Sequence, residues 1–346
     1  MKFGYGLLSG QCVPESERSY SEVYEEMMDL AVLAEEVGFD TIHTSEHHFF
    51  DDGYSPSGLP LSAALARETG SIGIETSIAL APLYDPIRLA EDAATVDVLS
   101  GGRFALGVAN GYMQREFDVF GVPRSERARR VAETVRICNQ AWAPGSLSFD
   151  GEIFQYENVR VEPKPVQDDG PDIHLGGTSK PAIRRAARIC DGHIGIVYYD
   201  SAMQYKSSFD EFSDNVDLLS ELRDVESDEF RISMMQYTHV DDDSDAAWET
   251  LAPSLVYSRR KYAEHADGRD AAKWDYETMD DEQLERLRAG AMVGDPEGVV
   301  KRLRAYEEAI PGELHFLARM WHPGLSFEDH AESMRRFGEE VIPELA

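Results

Sequence analysis

Short β-rich runs alternate with helical periods along nearly the whole chain, and no other feature limits the fold so tightly. "FGYGLL" (3–8) reads as a strand, and "SEVYEEMMDLAVLAEEVGFD" as an amphipathic helix from about Ser21, stopped by Gly38. The order then repeats. "DTIHTSE" is a strand before the helix "LPLSAALARET". "IGIETSIALAPL" (72–83) is a strand before "DPIRLAEDAATVDVLSGG", a helix with Pro86 near its start and Gly101–Gly102 at its stop. "RFALGVAN" precedes the helix "SERARRVAETVRICNQAW", and "PDIHLGG" precedes "SKPAIRRAARIC". "GHIGIVYY", "FRISMMQYTHV" and "GELHFLAR" are the sixth, seventh and eighth strands, and the helix "SFEDHAESMRRFGEEVIPEL" closes the series.

Roughly eight β/α units are the complement of a TIM barrel, so the fold class is α/β: a (β/α)8 TIM barrel with insertions. Read as one domain over 1–346, the chain is longer than the usual ~250 residues. The excess sits in two places. A polar segment at about 146–165 reads as a hairpin inserted before the fifth strand. A second polar stretch at about 241–293, between strands seven and eight, is either a lid over the barrel mouth or a peripheral helical elaboration. A doubly wound sheet is the competing architecture, but no GxGxxG follows the first strand.

Charge narrows the partners. A net charge of −32, from 33 basic against 65 acidic side chains, disfavours nucleic acid and anionic membranes. The acid is spread along the chain, as a salt-adapted (halophilic) cytoplasm would favour. Cys12, Cys138 and Cys190 form neither a disulfide framework nor a CxxC pair, the N-terminus carries no signal-like apolar core, and no run reaches membrane-spanning length. A soluble cytoplasmic protein is expected.

In a barrel the chemistry sits at the C-terminal ends of the strands. There the second strand supplies Glu46, His47 and His48, the fourth Asn110, Gly111 and Tyr112, the fifth Gly176 to Ser179, and the eighth Trp321 and His322. A metal site would favour His-x-His, whose side chains share a face; adjacent histidines point to opposite sides, and no further ligand pattern completes a set, so no metal is expected. His47 reads as a general base or hydrogen-bond donor and His48 as a structural histidine. Glu46 either holds the imidazole in one tautomer or pairs with an arginine in the wall. "GGTSK" (176–180) offers two glycines, hydroxyls and helix N-terminal amides that suit a phosphate, though a plain turn with Ser179 as N-cap would look the same.

"SEHHFF", "DPIRLAEDAATVDVLSGGRFALGVANGYMQREFDVFGVPR" and "GGTSKPAIRRAARICDG" together resemble the bacterial luciferase-like flavin-dependent monooxygenase superfamily. "FDGEIFQYENVRVEPKPVQ" and "GDPEGVVKRLRAYEEA" resemble it as well, so the likeness covers most of the chain. The resemblance implies that His47 is catalytic. It also implies a non-proline cis peptide at Ser77–Ile78 behind the isoalloxazine ring, and flavin and phosphate contacts from Asn110, Gly111 and Tyr112. It puts the phosphate against Gly177, Thr178 and Ser179. Asn110 stands where luciferase has a phosphate-binding arginine, and Ala109 where it has a reactive cysteine; Arg103 and Lys180 are candidates to replace the missing charge.

The function implied is a monooxygenase that uses reduced FMN, delivered by a separate flavin reductase, and molecular oxygen to oxidise a small organic substrate, working as a homodimer. One alternative keeps the fold and transfers hydride with 8-hydroxy-5-deazaflavin, His47 serving as acid or base. The other is a non-catalytic flavin-binding or partner subunit, against which the presence of His47 argues.

Overall fold

The computed structural model describes residues 1–200, 205–225, 230–266 and 269–345. Eight parallel strands form the barrel: β1 (Lys2–Leu8), β2 (Thr41–Thr44), β3 (Gly73–Thr76), β4 (Phe104–Ala109), β5 (Ile173–Gly176), β6 (Gly192–Ile196), β7 (Arg231–Val240) and β8 (Leu314–Arg319). Each pairs with its successor, and the sheet closes where β8 pairs with β1. This is the TIM barrel expected from the alternation.

Around it lie α1 (Tyr20–Glu36), α2 (Gly58–Glu68), α3 (Pro86–Ser100), α4 (Gln114–Phe120), α5 (Arg127–Trp142), α6 (Lys180–Ile189) and α7 (Phe209–Leu222). They are followed by α8 (Ser244–His265), α9 (Asp281–Ala289), α10 (Pro296–Ala309) and α11 (Phe327–Arg336). Local chemistry sets their ends. Ser19 and Glu22 form a capping box at the start of α1, whose buried Val23, Met27, Leu30, Ala31 and Ala34 recur at helical spacing. The Asp85 carboxylate caps α3 by accepting from the amides of Ile87 and Arg88, Pro86 occupies the first turn, and Gly101 ends the helix at φ 69°. No helix among the described residues is long and apolar enough to cross a membrane.

Three features depart from the simple alternation. The third strand is shorter than the run 72–83: β3 ends at Thr76, the Ser77–Ile78 peptide is cis, and Ala81–Leu83 forms a 3-10 turn around Pro82, which has no N–H for a ladder. A second non-proline cis peptide joins Gly6 and Leu7 in β1. Helices α4 and α7 have no counterpart in the sequence pattern. In α4 only Glu116 and Phe117 are buried, too few for a visible period. Elsewhere, Leu147–Asp150 and Gln155–Val159 form an antiparallel hairpin, with the buried Glu133 carboxylate of α5 accepting from the amides of Glu152, Ile153 and Phe154 at its turn. Residues 241–293 hold α8 and α9, and the last turns of α8 rest on the loop that follows β2.

The lower part of the barrel lumen is polar. His43 Nε2 and His315 Nε2 both hydrogen-bond Thr41 Oγ1, at 2.8 and 2.9 Å, and His315 Nδ1 bonds Ser233 Oγ at 3.1 Å. Glu75 accepts from His174 Nδ1 at 2.8 Å and pairs with the Arg231 guanidinium. The His315–Thr41, His174–Glu75 and Arg231–Glu75 contacts join strands that are not neighbours in the sheet, so they cross the lumen. Small residues make room for them: a Cβ on Gly4 would lie 2.5 Å from His43 Nε2, and one on Gly192 would lie 2.5 Å from His174 Cδ2. Burial and the nearby Arg231 charge hold His43 and His315 well below the ordinary imidazole pKa, and burial lowers His174 too.

Candidate active site

The chain leaves β2 at Thr44 and runs over the barrel rim, where Glu46, His47 and His48 lie in a loop. His47 is 9% exposed, and its Nδ1 is 3.0 Å from the Oε1 of Glu116, a buried carboxylate that α4 carries up from the β4 side. The same oxygen accepts the His48 amide at 3.0 Å, which locks the loop to α4. Rings surround the imidazole. Tyr54 and Tyr262 stand edge-on to it with centroids 5.0 and 5.6 Å away, Tyr112 at 5.8 Å, and Phe50 at 5.4 Å.

Glu46 is not the partner of His47. Its carboxylate accepts from Leu80 N at 3.3 Å, lies 3.2 Å from His48 Nε2, and takes the short Tyr84 hydroxyl bond. Of the two expectations for Glu46, the imidazole it holds is that of His48, and a tyrosine stands where an arginine was looked for. Burial and the adjacent carboxylate push the Tyr84 phenol pKa up, which keeps it a donor. His48 also stacks edge-on against Phe120, ring centroids 4.8 Å apart, in keeping with a structural histidine.

The other sequence-predicted positions come together beside this loop. Ser77 turns its hydroxyl down to His43 Nδ1 at 2.8 Å, so its side chain belongs to the lumen network. Ile78 faces β5: a Cβ on Gly176 would sit 3.3 Å from its side chain. Asn110 Oδ1 is buried and has no hydrogen-bond partner among the described residues. Gly111 has φ 66°, and a Cβ there would press on Phe117 at 3.2 Å. Tyr112 is 37% exposed, with the Arg269 guanidinium 5.4 Å from its ring centre. Gly177 has φ 148° and gives its amide to Ile194 O at 3.2 Å; the carbonyl of Thr178 accepts from Asn215 Nδ2 at 3.4 Å. Ser179 precedes α6, is exposed, and makes no side-chain cap bond, which leaves its hydroxyl and the Lys180 amide for an anion; Pro181 has no N–H, and the Ala182 amide goes to the Ser179 carbonyl.

Of the two candidate cations, Lys180 is exposed at that helix start, whereas Arg103 lies at the opposite end of the barrel. The Arg103 guanidinium is spent on the carbonyls of Ala66, Thr69, Ile72 and Ser100, so it takes no part at the mouth. Glu116, Tyr54, Tyr262 and Arg319 form part of the mouth and were not read from sequence. Each comes from a different segment, and none belongs to a spaced motif.

A flavin needs a flat slot, polar edge partners and an anion seat. The close approach of Ile78 to Gly176, the unpartnered Asn110 Oδ1 and the uncapped start of α6 fit those three needs.

Comparison with known proteins places this geometry. The chain is 25% identical over 345 residues to the oxygenase component of the flavin-dependent trigonelline monooxygenase of Acinetobacter baylyi, covering 94% of this chain and 91% of that protein. It is 28% identical over 357 residues to an F420-dependent glucose-6-phosphate dehydrogenase of Microbacterium testaceum, covering 100% and 97%. Among solved structures, the monooxygenase RslO1 of Streptomyces bottropensis superposes with a TM-score of 0.86 at 23% identity, covering 100% of both chains, a likeness of fold. The model of the luciferase-like monooxygenase family matches residues 1–311, and the chain belongs to that family.

Proposed function

We propose that this chain is the oxygenase of a two-component system that takes reduced FMN from a separate reductase and uses molecular oxygen to oxidise a small organic substrate. The observation that carries the reading is the His47–Glu116 pair inside a ring of aromatic side chains at the barrel mouth. When bound, reduced FMN supplies the electrons that activate oxygen. Ile78, Asn110, Gly111 and Tyr112 would border the ring, and Gly177, Thr178 and Ser179 would hold the phosphate with Lys180 at hand. Glu116 takes the Nδ1 proton of His47 as a hydrogen bond, which leaves Nε2 to hold or give up a proton at a reactant. Tyr54, Phe50 and Tyr262 keep water from that nitrogen.

The dehydrogenase relative supports a second reading, in which a deazaflavin transfers hydride and His47 Nε2 serves as the acid or base. Oxygen uptake separates the two. Chemically reduced FMN should drive oxygen consumption coupled to substrate oxidation; turnover with reduced deazaflavin alone and no oxygen uptake would replace the first reading with the second. The His47→Ala variant should lose about 10²–10⁴-fold in turnover while binding flavin as before. Unchanged turnover would remove His47 from the mechanism under either cofactor.

A further inference from the structure

Arg319 ends β8 and is 3% exposed. It lies on the same face of its strand as His315, whose bonds to Thr41 and Ser233 mark that face as the lumen, so the guanidinium projects into the barrel at its mouth. A buried guanidinium keeps its charge, and burying an uncompensated charge is costly. Yet its surroundings are phenols: Tyr237 with its ring centre 4.2 Å away, Tyr262 at 5.7 Å, and the Tyr262 hydroxyl 3.3 Å from Nη2. Among the described residues no carboxylate pairs with it, and its Nε and the Tyr237 hydroxyl are buried without a hydrogen-bond partner. Arg231, half-buried lower in the same lumen, has Glu75.

We propose that Arg319 is the anchor for a carboxylate on an aromatic substrate. The fork of N–H groups matches a carboxylate in shape and charge. Tyr54, Tyr237 and Tyr262 offer faces and edges to a ring attached to it. Tyr262 links the anchor to the chemistry, since its hydroxyl is 3.0 Å from that of Tyr54 and both rings border His47. The position in the barrel separates this anchor from the cofactor's phosphate: β8 lies across the ring of strands from β4 and β5, where the phosphate seat is placed. The assignment of the anion to substrate rests on the proposed flavin reading; the anion site itself does not.

The test uses benzoate and its neutral isostere benzamide as probes, with affinities from calorimetry on the full chain, and FMN affinity from fluorescence quenching in the same series. The wild-type protein should bind benzoate at least about tenfold more tightly than benzamide. Arg319→Met should bring that ratio close to one while leaving FMN affinity within about twofold, and Arg319→Lys should give an intermediate ratio. Equal binding of the two probes by the wild type, binding of neither, or an unchanged ratio in Arg319→Met would each overturn the proposal. If the Met variant does not fold, the wild-type ratio and the Lys variant decide by the same rule. A loss of about tenfold in FMN affinity with the benzoate preference intact would assign Arg319 to the cofactor's phosphate and overturn it too. Failure of the wild type to bind FMN, with the benzoate preference following Arg319, would sink the flavin reading and leave the carboxylate anchor standing.

Discussion

The lower lumen and the mouth of this barrel are built from the same side-chain types, and they differ in how their charges are matched. Below, Glu75 meets Arg231 and His174, and hydroxyls from Thr41, Ser77 and Ser233 take up the imidazoles of His43 and His315. Above, Glu116 holds His47 with one oxygen while its other is buried without a partner among the described residues, as are Asn110 Oδ1 and Arg319 Nε. The lower charges meet opposite charges and bind the strands together, although His174 Nε2 and Arg231 Nε have no hydrogen-bond partner among the described residues. The upper groups are held in place with bonding capacity left over, as a site awaiting small molecules requires. Stability should therefore respond to the lower set and turnover to the upper one.

Acid gives the largest expected effect on the matched set. Burial lowers His43, His174 and His315 of the matched set, and elsewhere in the fold it lowers His322 and takes His193, His239 and His330 to about 4. In the unfolded chain each titrates near 6.5, so below that pH the unfolded state binds more protons than the folded one. Stability is then full above about pH 6.5 and falls as pH drops toward about 4, by up to ~1.4 kcal/mol per pH unit for each such histidine. Urea unfolding followed from pH 7 to pH 4.5 should show the midpoint falling steeply below about 6.5. A flat profile would mean that these imidazoles are hydrated, and the contrast with the mouth would lose its basis.

Next in size is the loss of one partner from the lumen ion pair, in which Glu75 is buried and Arg231 half-buried. Arg231→Met leaves Glu75 in the lumen with imidazoles that resist protonation, and should cost about 3–5 kcal/mol in denaturant unfolding. Replacing both, Arg231→Met with Glu75→Leu, should recover much of that loss, because an apolar pair has no charge to leave stranded. If the single variant proves as stable as the wild type, the lumen is not a matched set.

The barrel itself was legible in the sequence because period-2 and period-3.6 runs alternate under strong punctuation: Gly38, Pro86 and Gly101 stand where helices begin or end. The site was legible only where residues adjoin in sequence. His47 lies in the loop after β2, as its place after a β-branched run implied, but its carboxylate could not be found by adjacency. Glu46 sits one residue away and turns to His48, Leu80 and Tyr84, while Glu116 arrives on a helix too short to show a period. Arg103 misled for a related reason. A cation near a phosphate loop in sequence can lie at the other end of a strand, and β4 carries Arg103 away from the mouth by its whole length. Tyr54, Tyr262 and Arg319 meet through the barrel's closure, a relation no local pattern records.

That division of labour between two glutamates gives the smallest and most discriminating prediction. Both are buried beside a histidine, at 2% and 1% exposure, so burial alone does not distinguish them. What does is the histidine each touches: His47 in the ring-lined mouth for Glu116, His48 at the rim against Phe120 for Glu46. Glu116→Gln keeps the shape and the Nδ1 contact but removes the carboxylate that orients the imidazole. It should lower kcat by about 10–100-fold with KM little changed, since substrate contacts are untouched. Glu46→Gln loses charge-assisted bonds to His48 and Tyr84, and should cost about 1–3 kcal/mol of stability while moving kcat much less. Steady-state kinetics on the two variants, each checked by urea unfolding, would reverse the assignment if Glu46→Gln lost the greater part of kcat and Glu116→Gln only stability.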